Sequence, residues 1–336
     1  MNIQRLKEIL AGAKTKRMLV IGDLMLDEFV WGKVSRISPE APVPVVQVMG
    51  ESFHPGGAAN VARNLRGFTE HVSVIGLVGS DRDGRQLLEL LTQQGISTKA
   101  TMEDADFQTI VKTRIIARNQ QVVRVDREKM HSPTPAQIDQ VIDDVVRRLP
   151  EIDAVIFEDY GKGFLNAGLV ARISQEATRA GKIVSGDPNP GHALEWKNVT
   201  VVKPNRSEAF LAAGLPWNDP YDPADQDEAL LRVGETLLTK WDSRYLLITL
   251  GEQGMILFQK GAAPHHVPTK ARQVFDVSGA GDTAIALFTL ALCCGATPPE
   301  AAEIANYASA VVVGKLGTAA VTQEELVATF QNDGFA

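Results

Sequence analysis

The run Asp276-Val-Ser-Gly279-Ala280-Gly281-Asp282-Thr283 leads directly into the apolar stretch AIALFTLAL. Glycines at the start of an apolar helix leave backbone N–H groups free, and these groups with the helix dipole favour an anion there. Asp282 sets a carboxylate into the same turn. A negative charge beside an anion site is unfavourable unless it does chemistry. Its economical role is a general base that takes a proton from a hydroxyl attacking phosphorus. The same letters, GAGDTA, fit the G-x-G-x-x-A dinucleotide fingerprint, but that fingerprint needs a second strand after the helix. Here CCGATPPEAAEIANYA follows, which reads as another helix. A purely structural glycine turn is the plainest alternative.

Three further segments carry residue types suited to a ligand. His54-Pro-Gly56-Gly57-Ala-Ala-Asn60 opens a helix; adjacent glycines let a ligand approach the backbone, and an amide such as Asn60 both donates to and accepts from sugar hydroxyls. Lys203-Pro-Asn205-Arg206-Ser207-Glu208 follows an apolar strand, with Asn205 and Glu208 on one face of a helix start. Beside a phosphate these two could order Mg²⁺ and its waters; taken alone, the pair reads as an N-cap completed into a capping box. Thr249-Leu-Gly251-Glu-Gln-Gly254 lies after a buried strand, as a nucleotide loop or as a hairpin turn into GMILF. No GxxxxGK[ST] is present, so phosphoryl transfer here is not of the P-loop kind.

The elements that position these residues alternate. Apolar runs at 18–21, 154–157, 183–185, 199–202 and 245–249 read as buried strands, separated by helical patterns at about 135–149, 166–180, from 206 and at 227–240. VSVIGLVG reads as one more strand. Such alternation predicts an α/β fold with a mostly parallel sheet and helices on both faces. Residues 28–54 carry Pro39, Pro42 and Pro44, which do not suit central strands. With the hairpin pattern at 107–127, whose strands are separated by RNQQ, they predict a small β lid outside the main sheet. A short helix over 1–16 precedes the domain at 17–336. The 336 residues hold 34 Lys+Arg and 41 Asp+Glu, a net charge of −7, which argues against sequence-independent nucleic-acid binding. No apolar run approaches the ~20 residues of a membrane span, and the first residues lack a signal-peptide pattern. The two cysteines, Cys293 and Cys294, are adjacent in an apolar helix and fit buried, reduced thiols of a cytoplasmic protein.

In this order GGAAN, NRSE, TLGEQG and DVSGAGD resemble the PfkB (ribokinase-like) family of carbohydrate kinases, over about 17 to 330. The resemblance implies a ribokinase-like fold with a β-sheet lid, ATP as co-substrate and Mg²⁺ as cofactor. It implies Asp282 as catalytic base and Gly279, Ala280 and Gly281 as the anion hole. Asn205 and Glu208 match the motif that governs Mg²⁺, through water, and with Arg206 and Ser207 they fall on the ATP side. Thr249, Gly251 and Gly254 match the nucleotide loop, and Asn306 falls near adenine. Asp27, Gly56, Gly57 and Asn60 match the sugar site. Ser278 stands where Thr is usual, and Glu158 where Ser is expected.

GDLMLDEFVWGKVSRISPEAPVPVV, EDYGKG and ASAVVVGKLGTAAV are similar, more narrowly, to heptose 7-phosphate kinases. These phosphorylate D-glycero-β-D-manno-heptose 7-phosphate at C1 to the 1,7-bisphosphate, for ADP-heptose and lipopolysaccharide core. Bifunctional members carry a second domain with an HxGH motif that this sequence lacks, so it resembles the stand-alone kinase. A phosphorylated sugar needs cations for its distal phosphate; Lys162, in a glycine-flanked turn, is the preferred one, with Arg36, Arg63 and Arg118 beside it. In relatives two lids clasp, which predicts a homodimer through about 28–54 and 107–127. The alternatives are a PfkB kinase of another sugar, a dinucleotide-binding oxidoreductase, and a non-catalytic sugar-binding regulator.

Overall fold

The computed structural model describes residues 1–118, 120–271, 273–315 and 317–333. Asn119 of the lid hairpin and the last three residues of the expected 17–336 domain lie outside them. The strands are β1 (Arg17–Gly22), β2 (Leu24–Ile37), β3 (Pro44–Gly57), β4 (His71–Ile75), β5 (Leu77–Gly79), β6 (Met102–Asp104), β7 (Ile110–Ala117), β8 (Gln120–Arg127), β9 (Ala154–Glu158), β10 (Ile183–Asp187), β11 (Val201–Val202), β12 (Tyr245–Thr249), β13 (Met255–Gln259) and β14 (His265–Val267). The helices are α1 (Ile3–Ala11), α2 (Ala58–Arg66), α3 (Arg82–Gln93), α4 (Pro135–Arg148), α5 (Ala167–Arg179), α6 (Arg206–Ala213), α7 (Glu228–Trp241), α8 (Ala280–Cys293), α9 (Pro298–Val313) and α10 (Gln323–Asp333).

The main sheet has the order β14-β13-β12-β11-β10-β9-β1-β4; its pairings are parallel except β12–β13 and β13–β14, so β13 alone runs against the rest. Its central strands are continuously apolar because both faces are covered. In β1, Met18 and Val20 face a core filled by α1, α2, α8 and α9, whereas Leu19 and Ile21 face one filled by α4, α5 and α7. Helix α8 is buried almost all round, which explains why AIALFTLAL shows no polar face. α1 contributes Leu6, Ile9 and Leu10 to the first of these cores.

The lid is a second sheet, β3-β2-β7-β8. Its strands reach deeper than the expected 28–54, because Leu24, Met25 and Leu26 are buried in the body. Pro44 starts β3 and Pro55 lies within it, and β3 is an edge strand that tolerates both. VSVIGLVG does not form one strand. A side chain at Gly76 would meet the Gly22 carbonyl at 2.5 Å, and there the chain leaves the main sheet, so that β5 pairs with β6 instead. TLGEQG forms the turn of the antiparallel β12–β13 hairpin. After α8 comes α9, with no strand between them, so the dinucleotide arrangement does not form.

Candidate active site

The site lies where β1, β9, β10 and β11 end and where α2 and α8 begin. Gly279 caps α8 at φ +80°, a left-handed conformation open to glycine. The N–H groups of Gly279, Gly281 and Asp282 meet no acceptor among the described residues, while that of Ala280 is directed at the Val277 carbonyl at 3.2 Å. The first turn of α8 therefore offers an unsatisfied donor cradle.

Asp282 is buried in that turn. Its Oδ2 accepts from Asn60 Nδ2 at 2.6 Å and its Oδ1 from the Tyr160 hydroxyl at 3.0 Å. Burial pushes the carboxyl up, against the pull of these two donors and of Lys203. A residue with a side chain at 279 would put its Cβ 2.7 Å from Asn60 Nδ2. Asn64 Oδ1 accepts from Thr283 Oγ1 at 3.1 Å, so α2 and α8 are joined at two levels.

Tyr160 is brought to Asp282 by Asp23, the residue after β1. The Asp23 carboxylate accepts the backbone N–H groups of Tyr160, Lys162 and Phe164 at 2.9, 3.0 and 3.3 Å, which folds residues 159–164 around it. Sequence reasoning gave no role to Asp23, two residues beyond the apolar run at 18–21.

On the sugar side Asp27 projects from β2. Its Oδ1 pairs with Arg114 of β7 at 2.5 Å, and its Oδ2 accepts from Thr318 Oγ1 at 3.1 Å. A Cβ at Gly56 would stand 2.7 Å from Asp27 Oδ2, and Gly57 has φ +56°, so both glycines are required where β3 turns into α2. Arg63 Nη2 donates to the Thr318 carbonyl at 2.5 Å, and its buried Nε has no partner among the described residues. The Lys162 ammonium pairs with Glu128 at 2.8 Å, and Glu128 also pairs with Lys112, the register partner of Asp27 on β7. Arg36 and Arg118 are exposed on lid strand β2 and at the end of β7.

On the nucleotide side, Asn205 Oδ1 accepts the Glu208 N–H at 2.9 Å and Glu208 Oε2 accepts the Asn205 N–H at 2.7 Å, a complete capping box at α6. Ser207 Oγ donates to Asn205 Oδ1 at 2.8 Å. Arg206 points away: its guanidinium is buried on Asp227 at 2.8 Å and stacks over Phe210 and Trp217. Thr249 bridges to Asn205. Gly251 and Gly254 have φ +60° and +90°, and a Cβ at 254 would meet the Val267 carbonyl at 2.1 Å. Asn306 Nδ2 donates to the Pro268 carbonyl at 2.7 Å, and the next residue, Tyr307, lines a cavity of about 460 Å³ with Lys270, Phe275 and Gly314.

Three carboxylates that sequence reasoning did not assemble meet between these two sides. Oxygens of Glu158, Asp187 and Asp282 lie within 4.8 Å of one another. Glu158 and Asp187 are register partners at the ends of β9 and β10, a relation that sequence spacing does not show. Glu158 is 2% exposed and its Oε2 has no hydrogen-bond partner among the described residues. Burial, with Asp187 and Asp282 nearby, pushes it well up; burial pushes Asp187 up to about 7 against the pull of Lys203.

A strand-end acid beside a helix-start donor cradle, under a β lid, is the arrangement of a sugar kinase, and comparison with known proteins agrees. The sequence model of the pfkB family of carbohydrate kinases matches residues 15–325, and the chain belongs to that family. It is 41% identical to the bifunctional protein HldE of Citrifermentans bemidjiense over 94% of its own length and 63% of that protein's. To the bifunctional protein HldE of Geobacter sulfurreducens it is also 41% identical, over 97% and 65%. The chain thus spans just under two thirds of these relatives. Among solved structures, the ribokinase of Arabidopsis thaliana complexed with ribose and ATP superposes with a TM-score of 0.70 at 17% identity, covering 94% of this chain and 99% of that one. Phosphofructokinase-2 of Escherichia coli in complex with potassium gives 0.74 at 18%, covering 95% and 99%. At those identities the likeness is one of fold: ribokinase-like, as the motifs implied.

Proposed function

We propose that the chain transfers the γ-phosphoryl group of ATP to the C1 hydroxyl of D-glycero-β-D-manno-heptose 7-phosphate, giving the 1,7-bisphosphate for ADP-heptose and lipopolysaccharide core. The observation that carries phosphoryl transfer is Asp282, buried at the mouth of the unsatisfied N–H groups of 279, 281 and 282 and held on both oxygens. The heptose is supported by the three sequence stretches that resemble heptose 7-phosphate kinases and by the identity to HldE proteins across nearly the whole chain.

In this reading the sugar sits under the lid against Asp27, Gly56, Gly57 and Asn60. The nucleotide lies across Thr249, Gly251, Gly254 and the cavity beside Asn306. Asn60 and Tyr160 fix the Asp282 carboxylate so that one oxygen faces the C1 hydroxyl. Asp282 takes that proton as the oxygen attacks phosphorus, the bond to ADP breaks with its electron pair leaving on ADP, and the N–H groups of α8 stabilise the oxygens in transfer. Lid closure excludes water, which would otherwise hydrolyse ATP.

The donor set fits a hard divalent cation: clustered carboxylate oxygens, one of them buried and unpartnered. Mg²⁺ would be held by Glu158 and, through water, by Asn205 and Glu208, and when bound it neutralises phosphate charge. Arg63 and Arg114 border Asp27 and supply the positive charge a distal phosphate needs. The chain works in this reading as a cytoplasmic homodimer joined through its lids. No helix of the described residues is long and apolar enough to cross a membrane.

The test is ADP release from Mg·ATP with β-D-heptose 7-phosphate, its α-anomer, fructose phosphates and ribose. Turnover confined to the β-heptose 7-phosphate is expected. Turnover on another of these sugars instead would discard the heptose and keep the kinase.

A further inference from the structure

Lys203 has no part in the scheme above, yet its ammonium lies directly under the anion hole. The ends of β9, β10 and β11 stand side by side, and Lys203 follows β11 by one residue, its N–H donating to the Gly186 carbonyl at 2.9 Å. Its side chain runs beneath the first turn of α8. A Cβ built on Gly281 would lie 3.3 Å from Lys203 Nζ and 4.0 Å from Asp187 Oδ2. Gly281 is one of the residues whose N–H meets no acceptor, so the ammonium and the free backbone donors occupy one place.

The lysine is 3% exposed, and among the described residues its ion pair is with Asp187 at 2.8 Å. An ammonium has three N–H donors, and Asp187 engages one side of it. The carboxylates whose charge it feels are Asp187, Glu158 and Glu208, and it acts in turn on Asp282. A buried lysine kept only to neutralise Asp187 would have no reason to lie against a helix turn whose N–H groups meet no acceptor among the described residues.

We propose that Lys203 is a donor to the phosphoryl group in transfer, the charged floor of a cradle whose walls are the α8 N–H groups, and that Asp187 holds it there. The inference rests on the kinase reading of this site. In the step, the acceptor hydroxyl's proton goes to Asp282, the new O–P bond forms and the bond to ADP breaks. Lys203 keeps its own proton throughout and supplies only hydrogen bonds and charge, which strengthen as negative charge builds on the phosphoryl oxygens.

Truncating the lysine alone would strand a buried carboxylate, so the decisive variant removes both charges at similar volume: Lys203→Met with Asp187→Asn. It is expected to fold and to bind metal-free ADP as the wild type does. It should lose its preference for a non-hydrolysable ATP analogue over ADP, and turnover should fall by ~10²–10³-fold, the range for losing one donor to a developing charge. Retained turnover, within about threefold, would overturn the proposal and leave Lys203 as the partner of Asp187 only.

A second measurement uses the unaltered protein labelled with ¹⁵N-lysine. The Lys203 ammonium signal, identified by its absence from Lys203→Arg, should move when Mg·ADP, aluminium fluoride and the sugar phosphate are added together, and stay put with Mg·ADP alone. A signal that ignores the phosphoryl mimic overturns the proposal even if the double variant does not fold. Wild-type turnover on the sugar panel tests the kinase reading separately, so failure of one is not read as failure of the other.

Discussion

Asp282 could be singled out from sequence because its type and setting are both local: an acid in a glycine-rich helix start. Replacing it with Asn keeps the size and the contact with Tyr160 but removes the carboxylate proposed as base. Asp282→Asn should leave ATP binding nearly intact and reduce turnover by ~10²–10⁴-fold, checked by steady-state rates beside calorimetric nucleotide binding. The residues that hold Asp282 were less legible. Asn60 was found through its glycines, whereas Tyr160 depends on Asp23 folding a distant loop. Glu158 was noticed only as an unusual letter; its neighbours come from strand register. Asn205 and Glu208 are locked into a capping box, so their sequence spacing is that of a helix start. For the distal phosphate, Arg63 has the buried, unpartnered nitrogen, and Lys162 already has Glu128. Arg63→Ala should therefore raise the KM for the phosphorylated sugar well above that for ATP, and more than Lys162→Ala does. Equal effects on both substrates would remove Arg63 from this role.

At the scale of elements, the alternation of strands and helices was readable because a central parallel strand is apolar on both faces and a helix keeps its own period. The breaks were harder. β4 and β5 part at Gly76 because of a close backbone approach that no hydropathy pattern reports. Gly279 is the most demanding joint. An alanine there adopts φ +80° at a penalty of ~1–3 kcal/mol and presses its Cβ onto Asn60 Nδ2. Gly279→Ala should lower the melting temperature and also lower turnover more than tenfold, because Asn60 must leave Asp282. A variant that melts lower with unchanged kcat would show the turn to be scaffold only.

Helix α1 is tied to α9 by Arg5 and Glu300, whose carboxyl is held down at about 2 chiefly by the hydrogen bond from Arg5. A carboxyl depressed in the folded state stabilises it above the unfolded value, and that contribution disappears as pH falls from about 4.5 towards 2. Glu300→Gln keeps an N3 residue that can complete the capping box with Thr297. It should melt below the wild type at neutral pH, with the gap closing through that acid window in melts followed by circular dichroism.

At the scale of the molecule, the lid was foreseen from its prolines and alternation, though not how deeply it roots in the body. The lid exposes apolar side chains at both ends of its strand order: Ile37, Val43, Val48 and Met49 on β2, β3 and the loop between them, and Val122, Val123 and Val125 on β8, are 38–61% exposed. Paired lids would cover them. The chain should sediment as a dimer at micromolar concentration, and Val48→Asp with Val123→Asp should shift it towards monomer. A wild-type monomer at that concentration would count against lid pairing.

The lid has no slack at its base. β2 starts at the residue after Asp23, and β3 runs through Gly56 and Gly57 straight into α2 and Asn60. A strand that tilts therefore acts as a lever whose short arms are the Asp23 loop and the Asn60 amide, the two supports of Asp282. In the proposed reaction, closing over a sugar and aligning Asp282 would be one movement, and in a paired lid the torque from one sugar would reach the fulcrum of the other.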